Sequence, residues 1–250
     1  MGIIRRIGGK SRLQKEITGM MPVHKIYVEP FLGGGSIFLY KSPAKINIIN
    51  DLDEDIINIW KDVYDLPVDI YESMKFIPNR ELFKSYLNKK SFDSNYDRLY
   101  RNLYLSKVSF SGNRFTYGGD KQDISTAKKI KKISLQLKNT SNLEIYNEDY
   151  KTIIQKFDSK DTLFYLDPPY EIETMSRSWG YKNLNVSPQE ICDLLKSIKG
   201  KFILSYNKSE TIENIFKDFY IENVITKYTL GGNGGNNTKN KEELIIKNFE

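Results

Sequence analysis

The run Asp167-Pro168-Pro169-Tyr170 has the makings of a site that grips an amino group. Proline has no N–H and a fixed φ, so two in succession leave backbone carbonyls as unpaired acceptors beside the Asp167 carboxylate. The exocyclic amine of adenine or cytosine is the complement: two N–H donors, and a lone pair that stays delocalised into the ring until both hydrogens are held. Asp167 and the Pro168 carbonyl can hold them while Tyr170 stacks on the ring. The same four residues also read as a plain Pro-Pro turn with an exposed acid. Their position favours a site. Residues 161–166 (DTLFYL) are apolar and aromatic enough for a buried strand, which puts the tetrapeptide at a strand's carboxyl end, where open α/β sheets bind ligands.

The elements that must position this run alternate strand and helix at both ends of the chain. Residues 25–29 (KIYVE) read as a strand entering Pro30-Phe31-Leu32-Gly33-Gly34-Gly35-Ser36, with a helix expected next. Glycines there let backbone approach a ligand closely, as in a nucleotide-type pocket. A second strand, 45–49, ends at Asn50-Asp51-Leu52-Asp53. An acid at that place commonly holds ribose hydroxyls, although a strand-end Asp also serves as a helix cap. A third strand, 143–146, ends in Asn147-Glu148-Asp149-Tyr150 and is followed by a helix over 151–157. Beyond Tyr170 come a helix over 187–198 with a Ser-Pro-Gln-Glu start, and strands over 201–205 and 243–247. The Gly/Asn-rich stretch 231–240 between them reads as a mobile loop.

From about residue 55 to 142 the period shifts toward helices with charged and aromatic faces. Residues 103–110 (LYLSKVSF), then Ser111-Gly112-Asn113-Arg114 and Phe115-Thr116-Tyr117-Gly118-Gly119, suggest a hairpin or ordered loop with Lys107, Asn113 and Arg114 near its tip. Such a tip can read base edges in a groove; it can equally be a solvated hairpin. The stretch 121–140 carries six lysines, 121, 128, 129, 131, 132 and 138, with Ile124, Ile130, Ile133, Leu135 and Leu137 in amphipathic spacing. A basic helix face of this kind either contacts phosphates or is simply solvated.

Composition bounds the setting. The 250-residue chain is 39% hydrophobic, enough for one domain core and a sizeable insertion. Its 38 basic and 32 acidic residues give a net charge of +6 and a pI near 9, compatible with a polyanionic partner. Cys192 is the single cysteine and His24 the single histidine, so an internal disulfide is excluded and no metal site is expected. With no signal-like start and no run long enough to cross a bilayer, the expected location is cytoplasmic, or the host cytoplasm for a viral source, without membrane association.

The order Arg6-Ile7-Gly8-Gly9-Lys10, Glu29 to Ser36, Asn50-Asp51, a helical insertion, Asp149-Tyr150 and Asp167 to Tyr170 resembles the Dam-type, alpha-class DNA adenine N6-methyltransferases. The resemblance spans about residues 4–249 and includes 103–112, 202–207 and Glu243-Leu244-Ile245-Ile246. It implies an α/β fold: a Rossmann-like sheet binding S-adenosylmethionine, formed by residues 1–55 and 143–250. Residues 56–142 would be an inserted, mainly helical target-recognition domain containing a β-hairpin. The implied donor contacts are Arg6, Ile7, Gly8, Gly9 and Lys10, the last toward the donor's carboxylate, with Glu29, Pro30, Phe31, Gly33, Gly35, Ser36, Asp51, Asp149, Tyr150 and Asp167. Asp167, Pro168, Pro169 and Tyr170 would hold a flipped adenine, and Lys107, Asn113, Arg114 and Tyr117 would touch double-stranded DNA. Family members commonly carry an aromatic residue where this chain has Arg6, which puts that donor contact in question. The default target is GATC, with a cognate restriction endonuclease as a candidate partner. N4-cytosine methylation, an RNA substrate, and an inactive donor- or DNA-binding module are the alternatives.

Overall fold

The computed structural model describes residues 2–4, 8–119, 125–169, 186–229 and 238–250. Among the described residues seven strands form one sheet: β1 (Ile26–Glu29), β2 (Ile46–Asn50), β3 (Leu143–Tyr146), β4 (Thr162–Leu166), β5 (Lys201–Asn207), β6 (Tyr220–Thr229) and β7 (Thr238–Lys247). Their spatial order is β3-β2-β1-β4-β5-β7-β6. The first five run parallel, and β7 lies antiparallel to both β5 and β6. The winding reverses between β1 and β4, so a crevice opens beyond their carboxyl ends, the usual ligand position in a Rossmann-like sheet.

Strand alternation divides the core into two layers. Tyr27, Ile49, Leu163, Tyr165, Ile203 and Ile245 face one side, whereas Val28, Ile48, Phe164, Leu166, Phe202, Leu204 and Ile246 face the other. The second face is covered by α6 (Tyr150–Phe157), α7 (Pro188–Ser197) and α8 (Glu210–Ile215), through Ile153, Ile154, Ile191, Leu195, Ile212 and Phe216. The first is covered by α1 (Gln14–Gly19), α2 (Glu54–Asp65) and the inserted helices α3 (Arg80–Asn88), α4 (Asn95–Val108) and α5 (Ser125–Lys138). Trp60, Leu103, Tyr104, Ile130 and Leu137 join the same buried cluster as Tyr27 and Leu163. The insertion therefore shares a core with the sheet, and a boundary drawn after residue 55 falls inside α2.

Helix starts follow their caps. Asp53, Asn79, Ser94, Asp149, Ser187 and Ser209 each accept a backbone N–H in the first turn of α2, α3, α4, α6, α7 and α8, satisfying donors a helix end leaves open. Three local expectations are corrected. Residues 36–40 form turns instead of a regular helix, because the preceding glycines at positive φ leave the chain in a tight coil around Trp60. Residues 103–108 belong to α4, so the expected β-hairpin reduces, among the described residues, to an ordered loop closed by one antiparallel bridge, Ser109 to Tyr117. Part of the stretch expected as a loop, 238–240, is strand, and 231–237 lies outside the described residues. Among the described residues no helix is long and apolar enough to cross a membrane.

Candidate active site

Four strand ends converge on the crevice. At the end of β2, the Asn50 side chain donates to Pro30 O (2.9 Å) and to Glu148 O (3.0 Å), while its own oxygen accepts from Glu148 N. This buried amide ties the ends of β1, β2 and β3 together. Gly33 N donates to Asp51 Oδ2 (2.7 Å), and Trp60 Nε1 donates to Gly33 O (3.1 Å). The turn is pinned from both sides. Gly35 sits at φ +62°, and a Cβ there would lie 2.4 Å from the Trp60 ring, so only glycine fits. Ser36 follows it, half-buried.

A cleft of about 200 Å³ opens beside this turn, lined by Pro30, Phe31, Asp51, Asp149, Tyr150 and Lys151 among others. The Phe31 and Tyr150 rings lie 5.1 Å apart, and the Asp51 carboxylate stands at the end of β2. An apolar aromatic wall beside a carboxylate suits a nucleoside: the wall takes the base and the acid accepts from ribose hydroxyls. Asp149 is exposed and caps α6 through Lys151 N. Glu29, by contrast, lies fully buried and accepts from Tyr27 Oη (2.6 Å). Burial, with Asp167 nearby, raises its carboxyl to about 8, so it belongs to the floor beneath the turn.

Asp167 follows β4, with its side chain 22% exposed. Its Oδ1 accepts from Lys10 Nζ (2.7 Å) and from Ser205 Oγ (3.2 Å) on β5, and Ser205 is in turn paired with Tyr165 Oη (3.2 Å). Lys10 is 2% exposed; it also donates to Gly8 O (2.9 Å) and stands 3.5 Å from Glu243 Oε2 on β7. Burial alone would pull the Lys10 ammonium down, but Asp167, then Tyr165 and Glu243, hold it well above the ordinary lysine value. The lysine that the resemblance points at the donor's carboxylate is thus committed to Asp167, 157 residues away in the chain. Gly8 takes φ +83° and Gly9 precedes the short 3-10 turn carrying Lys10. Pro168 is buried and Pro169 half-buried. Arg6, Ile7 and Tyr170 lie outside the described residues. Ser205, Glu243, Asn50 and Trp60 escaped the sequence reading as site residues; only proximity reveals them.

The loop 109–118 carries three of the four expected DNA contacts, Asn113, Arg114 and Tyr117, and each is turned to another task. Arg114, at φ +66°, is 10% exposed and donates to Asp53 Oδ2 (2.7 Å), with Asp55 at 3.8 Å. It pins the loop to the start of α2 instead of standing at a tip. Asn113 accepts from Phe115 N and Thr116 N, shaping the turn. Tyr117 packs edge-on against Phe83, with the Arg80 guanidinium 5.1 Å from its ring centre. Lys107 is half-buried in the last turn of α4. The exposed loop side chains include two aromatics, Phe110 and Phe115. On α5, Lys128 and Lys132 are exposed, whereas Lys131 pairs with Glu72 and Lys138 donates to Tyr64 O.

Comparison with known proteins places this geometry. Residues 7–230 match the family described as D12 class N6 adenine-specific DNA methyltransferase. A Type II methyltransferase, M1.LlaDCHI, of Lactococcus lactis subsp. cremoris is 27% identical over 97% of this chain and 93% of its own length. A DNA adenine methylase of Haemophilus influenzae is 26% identical over 96% and 91%. Among solved structures, a precorrin 8W decarboxylase of Methanobacterium thermoautotrophicum is similar with a TM-score of 0.45 at 10% identity, covering 96% of this chain and 90% of that one. By the match over residues 7–230 the chain belongs to the D12 class of N6 adenine-specific DNA methyltransferases, whose methyl donor is S-adenosylmethionine.

Proposed function

We propose that this protein modifies a specific site in duplex DNA by methylating N6 of an adenine rotated out of the helix. Rotation is needed because N6 is otherwise paired and stacked. The observation that carries the reading is the Asp167 carboxylate, clamped on one oxygen by Lys10 and Ser205 at the point where β1 and β4 part. Clamping fixes the acceptor before substrate arrives, so little reorganisation is left for the reaction itself. Asp167 and the Pro168 carbonyl then hold the two N6 hydrogens, and Tyr170 stacks on the base.

The donor would lie along the glycine turn, its base against Phe31 and Tyr150 and its ribose at Asp51. Bound there, it supplies an electrophilic methyl group. Gly8, Gly9, Pro30, Gly33, Gly35 and Asp149 shape the surrounding backbone. On the DNA side, Phe110 and Phe115 would meet the duplex from the loop 109–118, with Lys107, Lys128 and Lys132 near phosphates and Arg114 holding the loop in place. GATC is the first target to try, and a cognate restriction endonuclease is a candidate partner. Incubation with labelled donor and duplexes of mixed sequence, followed by digestion to nucleosides, tests the reading. Label should appear as N6-methyladenine at one sequence; label on cytosine, or on RNA in preference to duplex DNA, would overturn it.

A further inference from the structure

We infer that Arg114 is a positioning residue for the methyl donor: it holds Asp53, whose backbone N–H in turn orients the Asp51 carboxylate toward the donor's ribose. The inference rests on the ribose-accepting role given to Asp51 above. Asp51 is buried, and each of its oxygens takes a backbone N–H, Oδ2 from Gly33 (2.7 Å) and Oδ1 from Asp53 (3.0 Å). The first N–H belongs to the glycine turn, which Trp60 pins. The second belongs to the residue that caps α2. Asp53 is held there by its own side chain, with Oδ1 accepting from Asp55 N (3.1 Å) and Oδ2 from Arg114 Nη2 (2.7 Å). Beyond β3, Asn147 Nδ2 donates to the Asp51 and Leu52 carbonyls (2.8 and 3.2 Å). That fixes the strand side of the segment, and Asp53 anchors its helix side.

Arg114 is built to act as a strut. Its backbone N–H donates to the Oγ of buried Ser109 (2.9 Å), and Ser109 is bridged to Tyr117 across the loop. The guanidinium therefore carries the loop's position to Asp53 through a charge-assisted bond, which is stronger than a neutral one. A hydroxyl-to-carboxylate bond weakens steeply as its angle departs from linear. A small rotation of Asp51 is thus enough to weaken its grip on a ribose. Holding the carboxylate in place beforehand removes an ordering cost from donor binding. Donor affinity is in this way tied to a loop residue 61 positions from Asp53 in the chain.

The test is calorimetry, without DNA, of S-adenosylhomocysteine and of its 2′,3′-dideoxyribose analogue. The ratio of the two affinities reads the ribose contact. Arg114→Ala should cut that ratio about fivefold. Arg114→Gly should cut it equally, although glycine suits the backbone at φ +66° and recovers stability, and Arg114→Lys should regain part of the loss. Asp53→Asn is a milder probe that keeps the helix cap and the backbone N–H; it weakens the ion pair and should lower the ratio about twofold. A ratio unchanged in the folded variants, or one that falls only in step with the melting temperature, overturns the inference. Asp51→Asn separates the two levels. If it lowers the ratio while the Arg114 and Asp53 variants do not, the relay through Asp53 is wrong. If Asp51→Asn leaves the ratio unchanged, the ribose role of Asp51 is wrong, and the inference is overturned with it.

Discussion

Replacing Arg114 with alanine separates two tasks that one residue could perform. In the structure its guanidinium is 10% exposed and pairs with Asp53, itself 16% exposed, at 2.7 Å. Breaking a fully buried pair by deleting one partner costs about 3–5 kcal/mol. Here some solvent reaches both groups, and Asp53 keeps its bond from Asp55 N as the cap of α2, so about 2 kcal/mol is expected. For a chain of this size that lowers the melting temperature by roughly 4–8 °C. The backbone adds an internal control. Arg114 sits at φ +66°, where a side chain costs about 1–2 kcal/mol and glycine almost nothing. Arg114→Gly should therefore be about 1 kcal/mol more stable than Arg114→Ala. Urea denaturation measures both, and DNA affinity as a function of salt measures the alternative. A phosphate-binding arginine would, on removal, cut the salt slope by about 1; a loop-pinning one leaves it unchanged. Unaltered stability with a reduced slope would refute the assignment.

Gly35→Ala should destabilise the fold by roughly 2–4 kcal/mol, since the added carbon needs both a strained φ and space occupied by the buried Trp60 ring; donor affinity should fall with it, and a variant with wild-type melting and donor binding would contradict the turn geometry. Glu29→Gln should flatten the dependence of stability on pH. Burial holds the Glu29 carboxyl at about 8 in the folded chain against 4.5 for an ordinary glutamate, so the folded state keeps a proton that the unfolded state releases. The stability from that proton is complete below about 4.5 and is lost as pH rises through 8, with a slope of up to about 1.4 kcal/mol per unit. Lys41, lowered by burial to about 8, acts in the opposite sense, but only above that value. Denaturation at pH 5, 6.5 and 8 should show the variant gaining on the wild type as pH rises, and parallel curves would count against a buried protonated Glu29.

What could be seen in the sequence was local. The strands β1 to β5 and β7 announce themselves as apolar runs ending in Asp, Asn or Pro, and the caps Asp149 and Ser187 mark their helices. Residues 103–108 were open to two readings because a short apolar run fits a strand or a buried helix turn equally; the contacts of Leu103 and Tyr104 with the core decide for the helix. The strand β6 gives no such signal, because its β-branched and aromatic residues fall in adjacent groups without a period of two. The glycine turn, Asp51 and Asp167 could be named beforehand because their chemistry is carried by neighbours in the chain. The partners of Asp167 could not. Lys10 and Ser205 reach it from a 3-10 turn and another strand, Glu243 approaches Lys10 from a third element, and no spacing rule connects them. Arg114 illustrates the same limit, since an arginine beside a Gly-Asn turn looks exposed until Asp53 is seen beneath it.

The role of Asp167 is tested most directly by single-turnover methylation of a duplex by Asp167→Ala, with DNA and donor affinities measured on the same preparation. The expected result is loss of detectable N6-methyladenine while the fold, most DNA affinity and donor binding persist. Turnover near the wild-type rate in a folded Asp167→Ala protein would contradict the account.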